Sequence, residues 1–414
     1  MSTDQLYNPA MIIQKAFKFQ LKTQALQEVK LMRFAGSCRK VWNLALALQK
    51  KRLDNKQYCL NYNKLAAALK AWKADPQFFY LKETHSQCLQ QTLMNLDRAL
   101  KEAFDKKNPK RFPQIKKRGK HDSFRYPQGF KIDEKRNQIY LPKLGWFGYR
   151  NSRALEGIAK NITVSRFHGK WTVSIQTEQE MAEVRHPATT MVGIDLGVAN
   201  FASLSNAKVY PAMNYMRHYA AKLAHAQRAL SRKKKHSKNW HKQRKKVSRI
   251  HLKITHLRQD FLHKTSTEIS KNHAMIVLED LKVSNMSRSA KGTKAVPGKK
   301  VRVKSGLNKA ILDQGWSEFR RQLEYKQEWR GGEVLVVPAK NTSRCCSVCG
   351  NTSKENRRTR DRFCCLACGY QAEADFNAAK NILAAGHAVL ACGGKALLGL
   401  SMKQEPIRSV AKAA

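Results

Sequence analysis

Two short turns, Cys346-Ser-Val-Cys349-Gly350 and Cys365-Leu-Ala-Cys368-Gly369, are separated by fifteen residues late in the chain. A two-residue gap lets both thiolates of a turn reach one ion. The glycine after it lets the backbone double back beneath that ion. Two such turns complete a tetrahedral four-sulfur shell, so the spacing is that of a zinc ribbon with one structural Zn²⁺. The competing reading is a redox pair or free buried thiols. Cys345 and Cys364 each precede a turn and lack its register. Cys38, Cys59, Cys88 and Cys392 read as ordinary buried or tail residues. Six of the ten cysteines crowd into 345–368, which is no disulfide framework. The first twenty residues lack a secretory apolar stretch, so a reducing cytoplasm is expected.

Charge sets the next constraint. The 414 residues carry 79 Lys and Arg against 30 Asp and Glu, a net +49. Self-repulsion of that size needs a polyanion to offset it, nucleic acid or an anionic membrane. The longest loosely apolar window, 382–400, contains His387, Lys395 and four glycines and makes a poor membrane span. Nucleic acid is therefore the expected partner. A hydrophobic content of 42% still allows real cores and excludes wholesale disorder.

Along the chain, alternation at Phe17, Phe19 and Leu21 reads as a strand, followed by helix from about 24 to 50. Leu89, Leu93, Leu96, Leu100 and Phe104 form one helix face. Strand patterns return at 139–141 and in a hairpin that sets Ile162 and Val164 against Trp171, Val173 and Ile175 across His168-Gly169. Periodicity lapses over 179–190, where a domain boundary is expected. Beyond it come apolar strands at 191–194, 201–204, 274–278 and 334–337. A helix carries Trp316, Phe319 and Leu323, and a last short helix follows Asp375 and stops near Gly386. Helical ends flank a basic run at 231–246, with a seam of Val247, Ile250, Ile254, Leu257 and Phe261 on its far side. The stretch 286–309 reads as a mobile loop.

In so basic a chain, acids at the ends of apolar strands are informative. Asp195 ends one strand, Glu279 ends another, and Asp375 opens a helix. Were they to converge, three carboxylates would hold Mg²⁺ or Mn²⁺, ions that prefer oxygen ligands and serve phosphodiester cleavage. Individually, Glu279 also reads as a surface turn and Asp375 as an N-cap.

Gly193-Ile-Asp195-Leu-Gly197, Leu278-Glu279-Asp280-Leu281 and Ala374-Asp375-Phe-Asn377-Ala-Ala379 occur in that order, with the cysteine turns before the last. Gly315-Trp316-Ser-Glu-Phe319, Thr342-Ser343, Arg111-Phe112-Pro113 and Leu141-Pro142-Lys143-Leu144-Gly145-Trp146 accompany them. Together these resemble the transposon-encoded TnpB family, compact RNA-guided nucleases related to type V CRISPR effectors. The resemblance spans nearly the whole chain except its tail. It implies an α/β RNase H-like (RuvC) nuclease core with an inserted zinc ribbon, plus an N-terminal β-barrel with a helical insertion at about 24–105. The corresponding divisions are 1–186 for nucleic-acid recognition, 187–341 with 370–386 for the nuclease, 342–369 for the ribbon and 387–414 for a disordered tail. It further implies Asp195, Glu279 and Asp375 as catalytic ligands of Mg²⁺ or Mn²⁺. A guide RNA from the transposon end would pair with target double-stranded DNA beside a short adjacent motif, in the prokaryotic cytoplasm and nucleoid.

Three acid-poor stretches, 106–131, 217–258 and 286–309, hold ten, fifteen and eight Lys or Arg. A single such run is usually a solvated face. Three, with Phe112, Phe124, Tyr126 and Phe130 interleaved in the first, point to phosphate contacts and base stacking. Phe112 and Tyr126 read equally well as core. The candidate contacts are Lys110, Arg111, Lys116, Lys117, Arg118, Arg125, Arg232, Lys233, Lys234, Lys235, Arg244, Lys245 and Lys246. The expected activity is RNA-guided, metal-dependent DNA cleavage. The alternatives are a non-cleaving RNA-guided or zinc-ribbon repressor, separable by absence of Mg²⁺-dependent cutting, and a strand-transferring transposase, separable by joined products.

Overall fold

The structure, a computed structural model, describes residues 11–107, 110–119, 122–181, 184–293 and 295–391. The chain divides into two units, one comprising residues up to Glu183 with Lys233–Arg249, the other Val184–Arg232 with the chain from Ile250 onward.

In the first unit, β1 (Met11–Lys22) leads into three helices, α1 (Ala25–Asp54), α2 (Tyr62–Ala74) and α3 (Ser86–Ala103). Strands β2 (Ser123–Tyr126), β3 (Lys131–Asp133), β4 (Gln138–Leu141), β5 (Gly145–Tyr149), β6 (Ile158–Phe167) and β7 (Lys170–Met181) follow. They join β1 in a seven-stranded sheet of order β2-β6-β7-β1-β5-β4-β3. The N-terminal barrel expected from the resemblance is thus not closed among the described residues. The short strands β2 and β3 end the sheet on opposite sides, pairing only with β6 and β4. The β6–β7 hairpin sets Val164 opposite Val173 and Ile162 opposite Ile175.

The leucine stripe of α3 supplies core, since Leu89, Leu93, Leu96 and Leu100 are all buried. Phe104 leaves that face: it is the C-cap residue, with ψ near 0°, and is 53% exposed. Tyr126 is wholly buried, its hydroxyl donating to the Pro142 carbonyl at 2.9 Å, and Phe124 is buried beside it. Phe112 and Phe130 pack half-buried against the same core. Phe124 and Tyr126 therefore serve packing, while Phe112 and Phe130 keep part of their surface exposed. The acid in the first basic stretch, Asp122, is buried and paired with Arg39 at 2.8 Å.

The second unit begins with β8 (Met191–Asp195), β9 (Asn200–Leu204) and β10 (Val209–Pro211), then α4 (Tyr215–His218) and α5 (Ala220–Ser231). Helix α6 (Lys238–Asn272) starts inside the basic run and ends in this unit. Strand β11 (Met275–Glu279), helices α7 (Val283–Met286), α8 (Val301–Gln314) and α9 (Trp316–Glu328), and strand β12 (Glu333–Val337) follow. Beyond them lie β13 (Arg362–Cys364), β14 (Gln371–Glu373) and α10 (Ala374–Ala391). The five-stranded sheet has order β10-β9-β8-β11-β12, with β8, β11 and β12 parallel and β9 and β10 antiparallel.

Both faces of the three parallel strands are covered, which is why they read as continuous apolar runs. Val192, Ile194, Ile276 and Leu278 pack with Trp316, Phe319 and Leu323 of α9. On the other face Val277, Leu335 and Val337 pack with Ile382 of α10. The expected mobile loop at 286–309 is helical from Val301 onward, in a helix that buries Ile311, Asp313 and Gln314 in its last turn. Lys304 and Asn308 of α8 donate to the carbonyls of Met286 and Ser287, tying down the segment before the helix. The seam expected on α6 also shifts: Leu252, Ile254, Leu262 and Ile269 are its buried apolar residues. No helix among the described residues is long and apolar enough to cross a membrane.

Candidate active site and metal centre

Side chains alternate across a strand, so residues 191, 193 and 195 of β8 share one face, as do 275, 277 and 279 of β11. Val277 faces α10. Gly193 does too: a Cβ added there would lie 2.3 Å from the Ala379 carbonyl oxygen and 2.6 Å from the Leu383 nitrogen. Only glycine allows the α10 backbone to rest on the strand at that point. Gly386, expected to stop the helix, does a similar job, since a Cβ there would meet Val277 Cγ2 at 2.5 Å. The helix accordingly runs on to Ala391. The rest of the expected tail, Cys392 included, lies outside the described residues.

This packing brings the three acids together. Ile194 and Leu278 pair in parallel register, so Asp195 and Glu279 end neighbouring strands side by side on the α10 face. Asp375 lies in the first turn of α10, one turn before Ala379. Burial, then the charges of Glu279 and Asp375, push the Asp195 carboxyl up to about 7, with the Arg357 guanidinium opposing. Burial also raises Glu279, against a hydrogen bond of 2.5 Å from the Thr342 hydroxyl. Arg357 Nη2 lies 3.2 Å from Asp375 Oδ1. Among the described residues, only the four-cysteine group gathers ligand atoms all within 4.8 Å of one another; the three carboxylates do not meet that spacing. Their donor set is all oxygen and rich in negative charge, which suits a hard divalent cation. Asp280, the neighbour of Glu279, turns away to Arg320 at 3.2 Å.

The second site is closed. Cys346 and Cys368 sulfurs are 3.7 Å apart, and those of Cys349 and Cys365 are 3.5 Å apart. A tetrahedron built on Zn–S bonds of about 2.3 Å has edges of roughly 3.8 Å, so the four sulfurs can hold a zinc ion. The turns repeat each other: Gly350 and Gly369 donate to the carbonyls of Cys346 and Cys365 at 2.9 and 3.0 Å. Both glycines have φ near +74°, a left-handed conformation that glycine adopts without cost. Cys345 directs its thiol to the Gly350 carbonyl, and Cys364 is exposed on β13.

The basic candidates differ in setting. Lys110, Arg111, Lys117, Arg118, Arg232, Lys233, Lys234, Lys235, Arg244, Lys245 and Lys246 are exposed. Lys110 pairs with Glu102 at 3.2 Å. Lys116 is half-buried with its ammonium 3.8 Å from the centre of the Trp42 ring, and burial lowers its pKa. Arg125 is half-buried on β2. These two are poorer phosphate ligands than their charge suggests. Sequence reasoning missed Arg357, Thr342, Asn377 and Asn381 as neighbours of the acids and cysteine turns. For Thr342 and Asn377 the signal was their place in the quoted motifs; for Arg357 and Asn381 there was none.

Residues 174–290 match a family described as "Probable transposase", OrfB_IS605. Residues 316–382 match the Cas12f1-like TNB domain, which takes in the cysteine turns and Asp375. Residues 11–57 match a family described as a helix-turn-helix domain, although that stretch here forms β1 and the single helix α1. A protein of Escherichia coli (strain K12) described as "Putative RNA-guided DNA endonuclease InsQ" is 53% identical over 396 residues, 96% of this chain and 98% of its own length. A protein of Streptomyces pristinaespiralis described as "Putative RNA-guided DNA endonuclease" is 35% identical, covering 96% of this chain and 98% of its own length. Cas12f1 of Sulfoacidibacillus thermotolerans, a CRISPR-associated endodeoxyribonuclease, is 42% identical over 71 residues, 17% of each chain. A cryo-EM structure of a Cas12f1–sgRNA–target DNA complex aligns over 90% of this chain and 98% of its own, with a TM-score of 0.48 and 14% identity. With more than half of its residues shared with InsQ along nearly the whole length, the chain belongs to the OrfB_IS605 family, that of TnpB.

Proposed function

We propose that the chain is an RNA-guided DNA endonuclease whose nuclease centre is Asp195, Glu279 and Asp375. The observation that carries this reading is that Asp195 and Glu279 end the strands on the face α10 covers, with Asp375 in the first turn of that helix close enough to act on Asp195, in a chain otherwise strongly cationic. The order of the five-stranded sheet, three parallel strands flanked by an antiparallel pair, supports an RNase H-like (RuvC) assignment for 187–341 and 370–386, with the ribbon 342–369 inserted.

Asp195, Glu279 and Asp375 would hold Mg²⁺ or Mn²⁺. Bound there, the ions supply charge neutralisation at the scissile phosphate and activation of the attacking water. The chain's own residues do the rest. Thr342 fixes the Glu279 carboxylate, and Arg357 sets a permanent positive charge beside Asp375. Exposed Lys and Arg of 110–118 and 232–246 grip phosphates of guide RNA and heteroduplex without reading sequence, which is left to pairing. Zinc in the four-sulfur site has no open position and acts structurally. Target choice beside a short adjacent motif, and action in the prokaryotic cytoplasm, complete the proposal.

The test is purification from cells carrying the native flanking DNA, sequencing of the copurifying RNA, and challenge of matched target plasmids with and without Mg²⁺. Guide-matched double-strand breaks that need Mg²⁺ and vanish in Asp195→Asn are expected. Joined products would point to strand transfer, and breaks that persist in Asp195→Asn would overturn the site assignment.

A further inference from the structure

Between the oxygen site and the sulfur site runs a chain of contacts that the proposed reaction does not by itself require. Thr342 is 9% exposed. Its hydroxyl donates to Glu279 Oε1 at 2.5 Å, with the Ala339 carbonyl a distant second acceptor at 3.4 Å. Its backbone carbonyl accepts from Asn381 Nδ2 of α10 at 2.9 Å. The same amide reaches the Cys345 carbonyl at 2.7 Å, and Asn377 Nδ2 reaches that carbonyl at 2.8 Å. Asn377 Oδ1 in turn accepts the Ser347 N–H, inside the first cysteine turn, at 3.0 Å. Asn377 is wholly buried, so its own two bonds are shielded from solvent, while Asn381 is half-buried.

The segment 342–347 is therefore stapled to the helix that carries Asp375 while it delivers a hydroxyl to Glu279. A carboxylate with a free torsion has to be ordered before it can grip a cation. One held by a buried donor is ordered beforehand, and outer-shell partners of this kind commonly govern metal affinity. The cysteine turn that begins four positions after the donor is fastened to the same helix by the Ser347–Asn377 bond.

We propose that Thr342 is a positioning residue for the divalent-ion site, kept in register by the zinc-bearing turn, so that zinc in the sulfur site strengthens divalent-ion binding at the acids. The inference rests on the reading of the three acids as ligands and extends it to how their geometry is maintained.

The experiment uses the full-length protein without nucleic acid. Mn²⁺ binding is followed by the loss of the free-ion electron paramagnetic resonance signal, zinc content by mass spectrometry and folding by thermal melting. Thr342→Val, which keeps shape and loses the hydroxyl, should weaken Mn²⁺ binding by about tenfold or more with zinc content unchanged. Thr342→Ser should restore affinity to within about twofold of the parent. Asn381→Ala, which frees the Thr342 carbonyl and leaves the acids in place, should weaken Mn²⁺ in the same direction and keeps the question open to measurement if the valine variant folds badly. Cys346→Ser, lacking zinc, should weaken Mn²⁺ as well. Parental Mn²⁺ affinity in both Thr342→Val and Asn381→Ala, or a serine variant as poor as the valine one, overturns the positioning role. Parental affinity in zinc-free Cys346→Ser overturns the link to the sulfur site. Asp195→Asn separates the two levels: if it too binds Mn²⁺ normally, the ligand assignment itself has failed, whereas a loss there beside a normal Thr342→Val condemns only the positioning role.

Discussion

The sulfur site and the acid site sit within one unit and are built in opposite ways. Four cysteines close within 4.8 Å using two local turns from a span of 23 residues, each turn holding itself with its own backbone bonds. The acids come from two strands and a helix spread over 181 residues, and no backbone turn joins them. What unites them is packing, chiefly the seat of α10 on Gly193 and Val277. A locally encoded site is robust and self-contained. A site assembled by packing stays open toward substrate and depends on everything that fixes its elements. The contacts of Thr342 and Asn377 mean that the second site leans on the first.

The largest effect should come from the acids themselves. Asp195→Asn should reduce guide-dependent plasmid cleavage by about 10⁴-fold, since a neutral amide cannot supply the charge that divalent-ion catalysis needs. Zinc content should stay at the parental value, and thermal melting in the absence of divalent ions should not fall, because a buried charge has been removed from beside two others. A variant that loses zinc along with activity would break the distinction between the two sites.

The converse substitution tests the asymmetry. Cys346→Ser should release the zinc and destabilise the second unit by roughly 3–5 kcal/mol, less than a metal-dependent peptide would lose, because Asn377 and Asn381 still tie the segment to α10. Calorimetry with zinc analysis reads both. A melting profile identical to the parent's would mean that the four sulfurs contribute little to the fold.

The same contrast explains what the sequence made legible. The cysteine turns are visible because two-residue spacing and a following glycine are a local code. The acids are visible as rare charges at the ends of apolar runs, but their convergence is not, since register between β8 and β11 depends on residues eighty positions apart. Gly193 reads as one residue of an apolar strand when it is also a helix seat, and Gly386 reads as a helix stop although it too packs against the sheet. Arg357 reads as one more cation among 79, although its guanidinium lies on Asp375. Barrel closure was inherited from the resemblance, whereas the strands that would have to meet are four and three residues long and lie at opposite ends of the sheet. The helix α8 was hidden because Arg302, Lys304 and Gly306 interrupt its apolar residues, and Val301, Val303 and Leu307 stay exposed rather than forming a buried stripe.

Gly193→Ala sharpens the packing side of the comparison without touching a ligand. The new methyl would meet backbone atoms of α10 well inside contact distance, so the helix has to shift rather than a flexible side chain. A cost of about 2–3 kcal/mol is expected, typical of overpacking. Mn²⁺ affinity should fall while the zinc content holds. Wild-type stability and affinity would show that α10 seats with more freedom than a direct backbone contact allows.

The smallest effect is on acidity, and it separates the sites by pH. The Asp195 carboxyl stands at about 7 because of burial and then its acidic neighbours, against an ordinary value of 3.8. Its folded-state pKa exceeds its unfolded one, so its ionisation opposes folding. That cost is absent below about pH 4 and fully present above about pH 7. Protein stripped of divalent ions should therefore lose this group's contribution to stability as pH rises between those values, and Mn²⁺ added at pH 8 should raise the melting temperature more than at pH 6. At limiting Mg²⁺ cleavage should run the other way, falling from pH 8 to pH 6 as protons compete with the cation for the carboxyl, and the fall should shrink as Mg²⁺ is raised to saturation. A zinc ion held by four thiolates would be bound far more tightly than a cation on carboxylates, so zinc should remain at pH 6. Cleavage and zinc content followed across one pH series decide the matter: a parallel loss of both would mean that acid acts through the sulfur site, and a loss of cleavage with zinc retained places the titration among the buried acids, Asp195 and Glu279, both raised by burial.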